Sequence, residues 1–533
     1  MSAIVALSVN KKAYLEDEKP GVDFKSKFVN DLFWITFYHQ HMGQEFGGLA
    51  TLSGNKQEPI LVRIHSSLFR EKFEKEKDNY GFIPPLGLGH ISAGFPEPYV
   101  VKKSIFPQFA ICFAGNLINK SEIIRDLINQ GQSFERIHDV VLISKLIVQA
   151  GWNTKVTNFD NFVNGLNFMS EKIEGAFALA ILTEKEIYVA RGLDGHEPIT
   201  IGTKKGAVVA VSESNSLYNQ GFKSFMELSP GQVISLDPQA DSFRQGGFLE
   251  TKNKIFAQVC SFKWVYTSDP AAVINGLSAK EARMRLGARH AQRDIEKGFI
   301  PHFILPVPDS GRFHALGYKR QFDFEVNQGS ISRTPYYDEN LLKFSFSSRS
   351  YTPALQLIRD TEADKKIIPI FESIKIIEVS ENCMRILISG VPFDLILQNQ
   401  EYVLLINVVL CDDSIVRGTQ TVNNLIPKLK TVFEEPFSQI GSSLNIDKPI
   451  KSDLRIHLRI GNPKLVSTCP WGKSNKEKEN LAAVDGETGR VRTTKEIAER
   501  LGVASCYFNT VEDVANAIGM PLEKLCVDCG IKK

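Results

Sequence analysis

The chain has 533 residues, with 63 Lys plus Arg against 61 Asp plus Glu and a formal charge of +2, so nothing electrostatic favours nucleic acid or an anionic membrane as its main partner. Hydrophobic residues at 43% and charged residues at 23% exclude a disordered, collagen-like or fibrous chain and allow roughly two or three domains with sizeable cores. The eight cysteines are too sparse for a disulfide scaffold, so clustered thiols point to a metal or to catalysis in a reducing compartment.

Residues 4–9 (IVALSV) predict a β-branched strand, with no basic residues before it and no cleavage site after it, hence no secretory signal. Apolar spacing predicts helices at 27–41, 121–130 and 139–149. Compact runs at 176–182, 187–190, 207–211 and 233–236 predict strands, with Pro230-Gly231 as a turn, giving an α+β layered unit. The polar stretch 237–253 marks a boundary. Beyond it a helix at 279–298, buried strands at 302–307 and 402–410 and a helix after Thr419 predict a parallel α/β sheet with ligands at the strand C-terminal ends. The strand-rich segment 361–400 interrupts that alternation, 474–479 is a charged link, and 493–525 ends the chain in two or three short helices. The longest apolar runs, such as 402–410 with Asn407 inside it, fall well short of the ~20 residues a bilayer span needs. A soluble, cytoplasmic protein is expected.

The most informative segment is VVLCDDSIVRGTQT, residues 408–421. A strand delivers Asp412 and Asp413, and a loop with Ser414, Arg417, Gly418 and Thr419 leads towards a helix. Vicinal carboxylates can accept hydrogen bonds from two neighbouring sugar hydroxyls or reach a divalent cation, and backbone amides at a helix N-terminus bind a phosphate. The ordinary alternative is an Asx turn capping a helix. A second run, FILPVPDSGRFHALGY (303–318), ends another buried strand in Asp309-Ser310-Gly311-Arg312. The first run resembles the PRPP (phosphoribosyl pyrophosphate) signature of type I phosphoribosyltransferases. That resemblance implies that Asp309, Ser310, Gly311 and Arg312 hold pyrophosphate, that Ser414, Arg417, Gly418 and Thr419 hold the 5-phosphate, and that Mg²⁺ is shared among Ser310, Asp412 and Asp413. Mg²⁺ suits such a site because it takes one or two carboxylates plus substrate oxygens.

With these loops placed, HMGQEFGGL (41–49), GNLIN (115–119), EGAFALAIL (174–182), VSES (211–214), SPGQVI (229–234) and NGLSAKEARMRLG (275–287) resemble the amidophosphoribosyltransferase family almost end to end. The resemblance implies an N-terminal-nucleophile (Ntn) αββα glutamine amidotransferase domain over residues 2–245, a type I phosphoribosyltransferase domain over 255–465 with an enlarged segment 361–400, and a C-terminal helical segment over 466–533. The implied reaction joins PRPP to ammonia to give 5-phosphoribosylamine and pyrophosphate in purine biosynthesis. Lys343 and Arg349, with Gln356 and Arg359, align with the loop that closes over PRPP, although the family's basic and Gly positions between Lys343 and Arg349 are Phe, Ser and Phe.

The glutaminase positions depart from the family. Removal of Met1 exposes Ser2 where the family has a cysteine nucleophile, and a hydroxyl is far less ionised than a thiol. Ala114 replaces the oxyanion-hole Asn before Gly115, and one lost donor costs about 10²–10³ in rate. Met42 replaces an Arg, and the sequence passes from Gly89-His90-Ile91 to Ser92-Ala93-Gly94 without the Arg that clamps the glutamine carboxylate. Asp139, at the position for the glutamine amino group, is kept. These changes predict a transferase without glutamine hydrolysis, supplied with ammonia by a separate protein. The alternatives are a PRPP-binding scaffold and a transferase for a different amine. Cys260, Cys469, Cys526 and Cys529 fall where the iron–sulfur branch of the family has its ligands, implying a [4Fe–4S] cluster, with a structural Zn²⁺ of the same ligand count as the alternative and core thiols as the plain one. Family members commonly form dimers or tetramers.

Overall fold

The opening strand, Ser2–Val9, is buried along almost all of its length because both faces are covered. Ala3, Val5 and Leu7 pack outward beneath the helix Phe24–Phe37, whereas Ile4 and Ala6 face a second sheet. In this computed structural model the described residues are 2–102, 108–151, 159–239, 243–250, 256–307, 309–337, 374–380, 382, 383–388, 391–418, 425–427, 429–430, 433, 446, 448–471 and 481–531. The predicted helix 27–41 begins earlier, because Asp23 caps it by accepting from Ser26 N, and ends at Phe37 before a separate 3₁₀ turn, Gln40–Met42.

The first sheet is seven-stranded and antiparallel, in the order Lys223–Glu227, Thr200–Lys204, Ala207–Val211, Ser2–Val9, Ile83–Ser92, Phe46–Leu52, Ile60–His65. The second is six-stranded, in the order Phe243–Phe248, Gln232–Leu236, Ile187–Arg191, Gly175–Leu182, Phe109–Leu117, Tyr99–Val101. Small residues between them, including Ala110, Ala114, Ala178, Ala180 and Ala210, let the sheets meet closely. The helices Asp139–Gly151 and Phe159–Lys172 cover the outer face of the second sheet. This is the αββα layering of the Ntn hydrolase fold.

The third large sheet has eight strands. Its centre is the long strand Glu401–Asp412, parallel to Ile450–Ile460 along one side. On its other side the first half pairs antiparallel with Val391–Gln398, and the second half pairs parallel with Phe303–Pro306. The strand-rich interruption in the sequence is therefore an antiparallel ribbon, Ile374–Val379, Cys383–Ile388 and Val391–Gln398, grafted onto the beginning of a parallel sheet. Ser505–Phe508 adds a further parallel strand beside Ile450–Ile460. It separates the two C-terminal α-helices, Thr494–Leu501 and Val511–Ile518, each opened by a capping box and closed by a left-handed glycine. The mixed α/β architecture with parallel strands at the site is that of a type I phosphoribosyltransferase. No helix among the described residues is long and apolar enough to cross a membrane.

Behind the sheet, the helices Ala279–Glu296 and Arg312–Asn327 approach until backbone meets backbone. A Cβ on Gly287 would lie 1.9 Å from His314 O, and one on Gly317 would lie 1.9 Å from Met284 O. Gly287→Ala is therefore expected to lower stability by about 1–3 kcal/mol, measured by denaturant unfolding. An unchanged midpoint would show that the helices can part without cost.

Candidate functional site

Parallel pairing of Pro306 with Cys411 brings two loops out of the sheet at the same end. Val307 N donates to Cys411 O at 2.9 Å and Gly311 N to Val307 O at 2.8 Å, drawing the Asp309-Ser310-Gly311 turn against the neighbouring strand. Only glycine fits at 311, where a Cβ would stand 2.0 Å from Cys411 O. Ser310 Oγ then donates to Asp412 Oδ1 at 3.0 Å, joining residues that are 102 apart in sequence. Asp413 N donates to the same Oδ1 at 2.8 Å, and Ser414 Oγ donates to Asp413 Oδ2 at 2.6 Å. From the other side, Gly461 N and Asn462 N donate to Asp412 O and Asp413 O, so the third strand fixes the backbone under both carboxylates.

Burial and the neighbouring Asp413 push the Asp412 carboxyl well above the usual carboxylate range, and burial likewise raises Asp413. Two such groups can ionise together only with compensating positive charge or donors. A divalent cation and sugar hydroxyls supply both, so the donor set of Ser310, Asp412 and Asp413 fits Mg²⁺. Asp309 and Arg312 lie at the exposed rim, 3.9 Å apart, with Arg312 opening the helix that follows. Gly418 has φ +76°, a left-handed turn that glycine adopts without strain. Arg417 stands beside it, whereas Thr419, Lys343, Arg349, Gln356 and Arg359 lie outside the described residues.

The second constellation surrounds the start of the chain. Ser2 Oγ donates to Phe113 O at 3.3 Å, and His90 Nε2 lies 3.1 Å from the same oxygen. Glu97, buried beside His90 at 3.4 Å, accepts from Phe113 N at 2.6 Å. Burial holds His90 down at about 3 and raises Glu97 well above its ordinary value. Ala114 points into the apolar layer between the sheets and offers no donor. Gly115 keeps φ +153°, with no room for a Cβ against Ala176 O. Met42 lies in the apolar core under the first sheet.

Asp139 is buried at the start of its helix, where Leu117 N donates to Oδ2 at 3.0 Å. Its other oxygen is 2.7 Å from the ammonium of Lys120. Lys120 also donates to Asn116 Oδ1 at 3.3 Å, and Asn116 Nδ2 in turn donates to Trp471 O at 3.0 Å. The carboxylate in the amino-group position is thus already matched by a cation of the same chain. Sequence reasoning did not find Lys120, because a lysine at the first turn of an amphipathic helix carries no signal until the fold sets it beside Asp139.

The four cysteines lie on neighbouring segments at the C-terminal end. Cys260 pairs with Cys526 across the short parallel strands Val259–Cys260 and Leu525–Cys526, and Val466 N donates to Cys529 O three residues before Cys469. Burial, then Cys260, pushes the Cys526 thiol up to about 12, with Cys469 also contributing. Burial, then Cys260, Cys469 and Cys526, raises Cys529. Cys260 and Cys469 thus each act on both Cys526 and Cys529, although among the described residues no three His, Cys, Asp or Glu side chains are grouped closely enough to hold a metal ion.

A family model described as a glutamine amidotransferase domain matches residues 98–219. An amidophosphoribosyltransferase of Methanocaldococcus jannaschii is 26% identical over 520 residues, covering 93% of this chain and 92% of that protein. The amidophosphoribosyltransferase of Methanothermobacter thermautotrophicus is 25% identical over 525 residues, covering 97% and 92%. The solved structure of the allosteric regulatory enzyme of purine biosynthesis superposes with a TM-score of 0.70 at 21% identity, covering 100% of this chain and 95% of that one. End-to-end similarity and a shared two-part fold lead to one conclusion: the chain is a homologue of the amidophosphoribosyltransferases over nearly its whole length.

Proposed function

We propose that this enzyme transfers the phosphoribosyl group of PRPP to ammonia in purine biosynthesis, in the cytoplasm, and that it does not hydrolyse glutamine. The observation that carries the reading is the convergence of Ser310, Asp412, Asp413 and Ser414 at the ends of two adjacent parallel strands. Asp412 and Asp413 accept from the ribose hydroxyls. The 309–312 turn, with the amides opening the following helix, holds pyrophosphate, and the 414–419 loop holds the 5-phosphate. Ammonia forms the C1–N bond as the C1–O pair leaves with pyrophosphate, and the ammonium so formed gives up a proton. Mg²⁺, when bound by Ser310, Asp412 and Asp413, offsets the charge gathering on the leaving pyrophosphate. Lys343 and Arg349 belong to the loop that excludes water from the reacting carbon.

Loss of the glutaminase rests on three features. Ser2 replaces a thiol, Ala114 supplies no oxyanion donor, and Lys120 occupies the charge partner that a glutamine ammonium requires. A separate ammonia-supplying protein is part of the same proposal. Cys260, Cys469, Cys526 and Cys529 would hold a [4Fe–4S] cluster, or a structural zinc ion, that ties the C-terminal strand to the segment entering the transferase.

The test follows pyrophosphate release from PRPP and Mg²⁺ by anaerobically purified protein. Release with ammonium and not with glutamine is expected, and Ser2→Ala should leave the ammonium rate within about twofold, since nothing in the ammonia reaction uses that hydroxyl. Comparable rates with glutamine would overturn the loss of the glutaminase. No release with either donor would overturn the transferase reading.

A further inference from the structure

The strand Ile374–Val379 is the outer edge of the grafted ribbon, hydrogen-bonded on one side to Cys383–Ile388 and, among the described residues, to nothing on the other. Such an edge is a template for another strand unless it is short, charged or covered. Here it is apolar. Ile376, Ile377 and Val379 are 45%, 51% and 63% exposed, while Met384, Ile386 and Ile388 on the adjacent strand are buried.

The sequence of this edge, IKIIEV, is complementary to itself. A β-bulge between Ile376 and Glu378 shifts the register, so that Lys375 lies opposite Leu387 and Glu378 opposite Arg385. Leu387 and Arg385 are two apart and share a face, so Lys375 and Glu378 share a face although they are three apart. Val379, opposite Met384, lies on the other face with Ile376, opposite Ile386. A second copy of this edge, antiparallel about a two-fold axis between Ile376 and Ile377, would set Lys375 against Glu378 twice, Ile376 against Ile377 and Val379 against position 374. Facing residues then share a face only because the bulge is present. A register one residue away would set Glu378 against position 374 and lose both charge pairs.

We infer that the edge strand Ile374–Val379 is a self-association surface whose partner is the same strand of a second copy of this chain, joining two transferase sheets into one continuous sheet. Two symmetric Lys375–Glu378 pairs select the register and the exposed isoleucines are buried between the copies.

Sedimentation velocity of the full chain across a concentration series tests this. Lys375→Glu and Glu378→Lys, each opposing like charges twice, are expected to weaken one concentration-dependent association step on the order of tenfold. The double swap, which restores opposite charges, should return that step close to the wild type. Both positions are solvent-facing, and the contact of Glu378 with Arg385 at 3.6 Å joins two exposed side chains, so the variants should fold, as their thermal midpoints would verify. Single variants that associate like the wild type, or a double swap as weak as the singles, would overturn the inference. Hydrogen exchange of the strand's amides gives a second readout. Protection that rises with protein concentration is expected, and protection independent of concentration would mean that the chain covers its own edge.

Discussion

Asp412→Asn is expected to lower ammonium-dependent pyrophosphate release by about 10³-fold while raising the thermal midpoint of the ligand-free protein. The two effects have one origin. Asparagine keeps an oxygen to accept from Ser310 Oγ and Asp413 N, so the loop bonds survive. What disappears is a buried negative charge beside a second one. Burial and Asp413 raise the Asp412 carboxyl above its unfolded value, and burial raises Asp413. A carboxyl raised on folding contributes stability that is fully present below the ordinary carboxylate range and is lost as pH rises through the raised value. The ligand-free wild type therefore holds this pair at a disadvantage near neutral pH, and Asp412→Asn removes about 1 kcal/mol of it. The gain should be absent near pH 4 and grow towards pH 8, as differential scanning fluorimetry would follow. Added Mg²⁺ and PRPP should reverse the order, because only the wild type retains both carboxylates for the cation and the ribose. A variant less stable than the wild type throughout that range would show that the carboxylate serves the fold and not the ligand.

Much of this site was legible because its chemistry is local. PVPDSGR and DDSIVRGT each carry a buried strand, a turn and polar groups within a few residues, and the fold needed only to place the strands side by side. The opening strand, the helix at 279–298 and the capped C-terminal helices were legible for similar reasons. The strand Ile450–Ile460 was not. Its sequence, IKSDLRIHLRI, carries Lys451, Asp453, Arg455 and Arg459 and reads as solvated surface, yet its second half is buried. Arg459 is tolerated there because its partner, Asp294, arrives from a helix 165 residues away. Lys120 beside Asp139 is a similar case of a charge explained by tertiary neighbours. The strand Phe109–Leu117 was missed: FAICFAGNL is continuously apolar at its start, like the run 176–182, and only the sheet shows the two paired.

The same buried pair sets the largest stability effect to be expected. Arg459 donates to Asp294 through Nε at 2.6 Å and Nη2 at 2.9 Å, with both side chains almost fully buried. Tyr318 Oη also donates to Asp294 at 2.7 Å, and the guanidinium lies over the Tyr507 ring at 4.6 Å. Burial alone would lower the Arg459 pKa, but Asp294, Tyr318 and Cys411 together raise it. Asp294→Ala strands a buried cation and a tyrosine hydroxyl together, and a cost of about 3–5 kcal/mol in denaturant unfolding is expected. Pairing it with Arg459→Met should recover most of that loss, since replacing both partners removes the uncompensated charge. The consequence reaches the reacting end of the sheet, because Arg459 precedes by two residues Gly461, whose amide holds the Asp412 backbone. Asp294→Ala should therefore raise the KM for PRPP more than it lowers kcat, by loosening the platform under Asp412 and Asp413 without touching substrate. A single variant that costs under about 1 kcal/mol, or a double variant no better than the single, would mean that the pair does not hold the third strand in place.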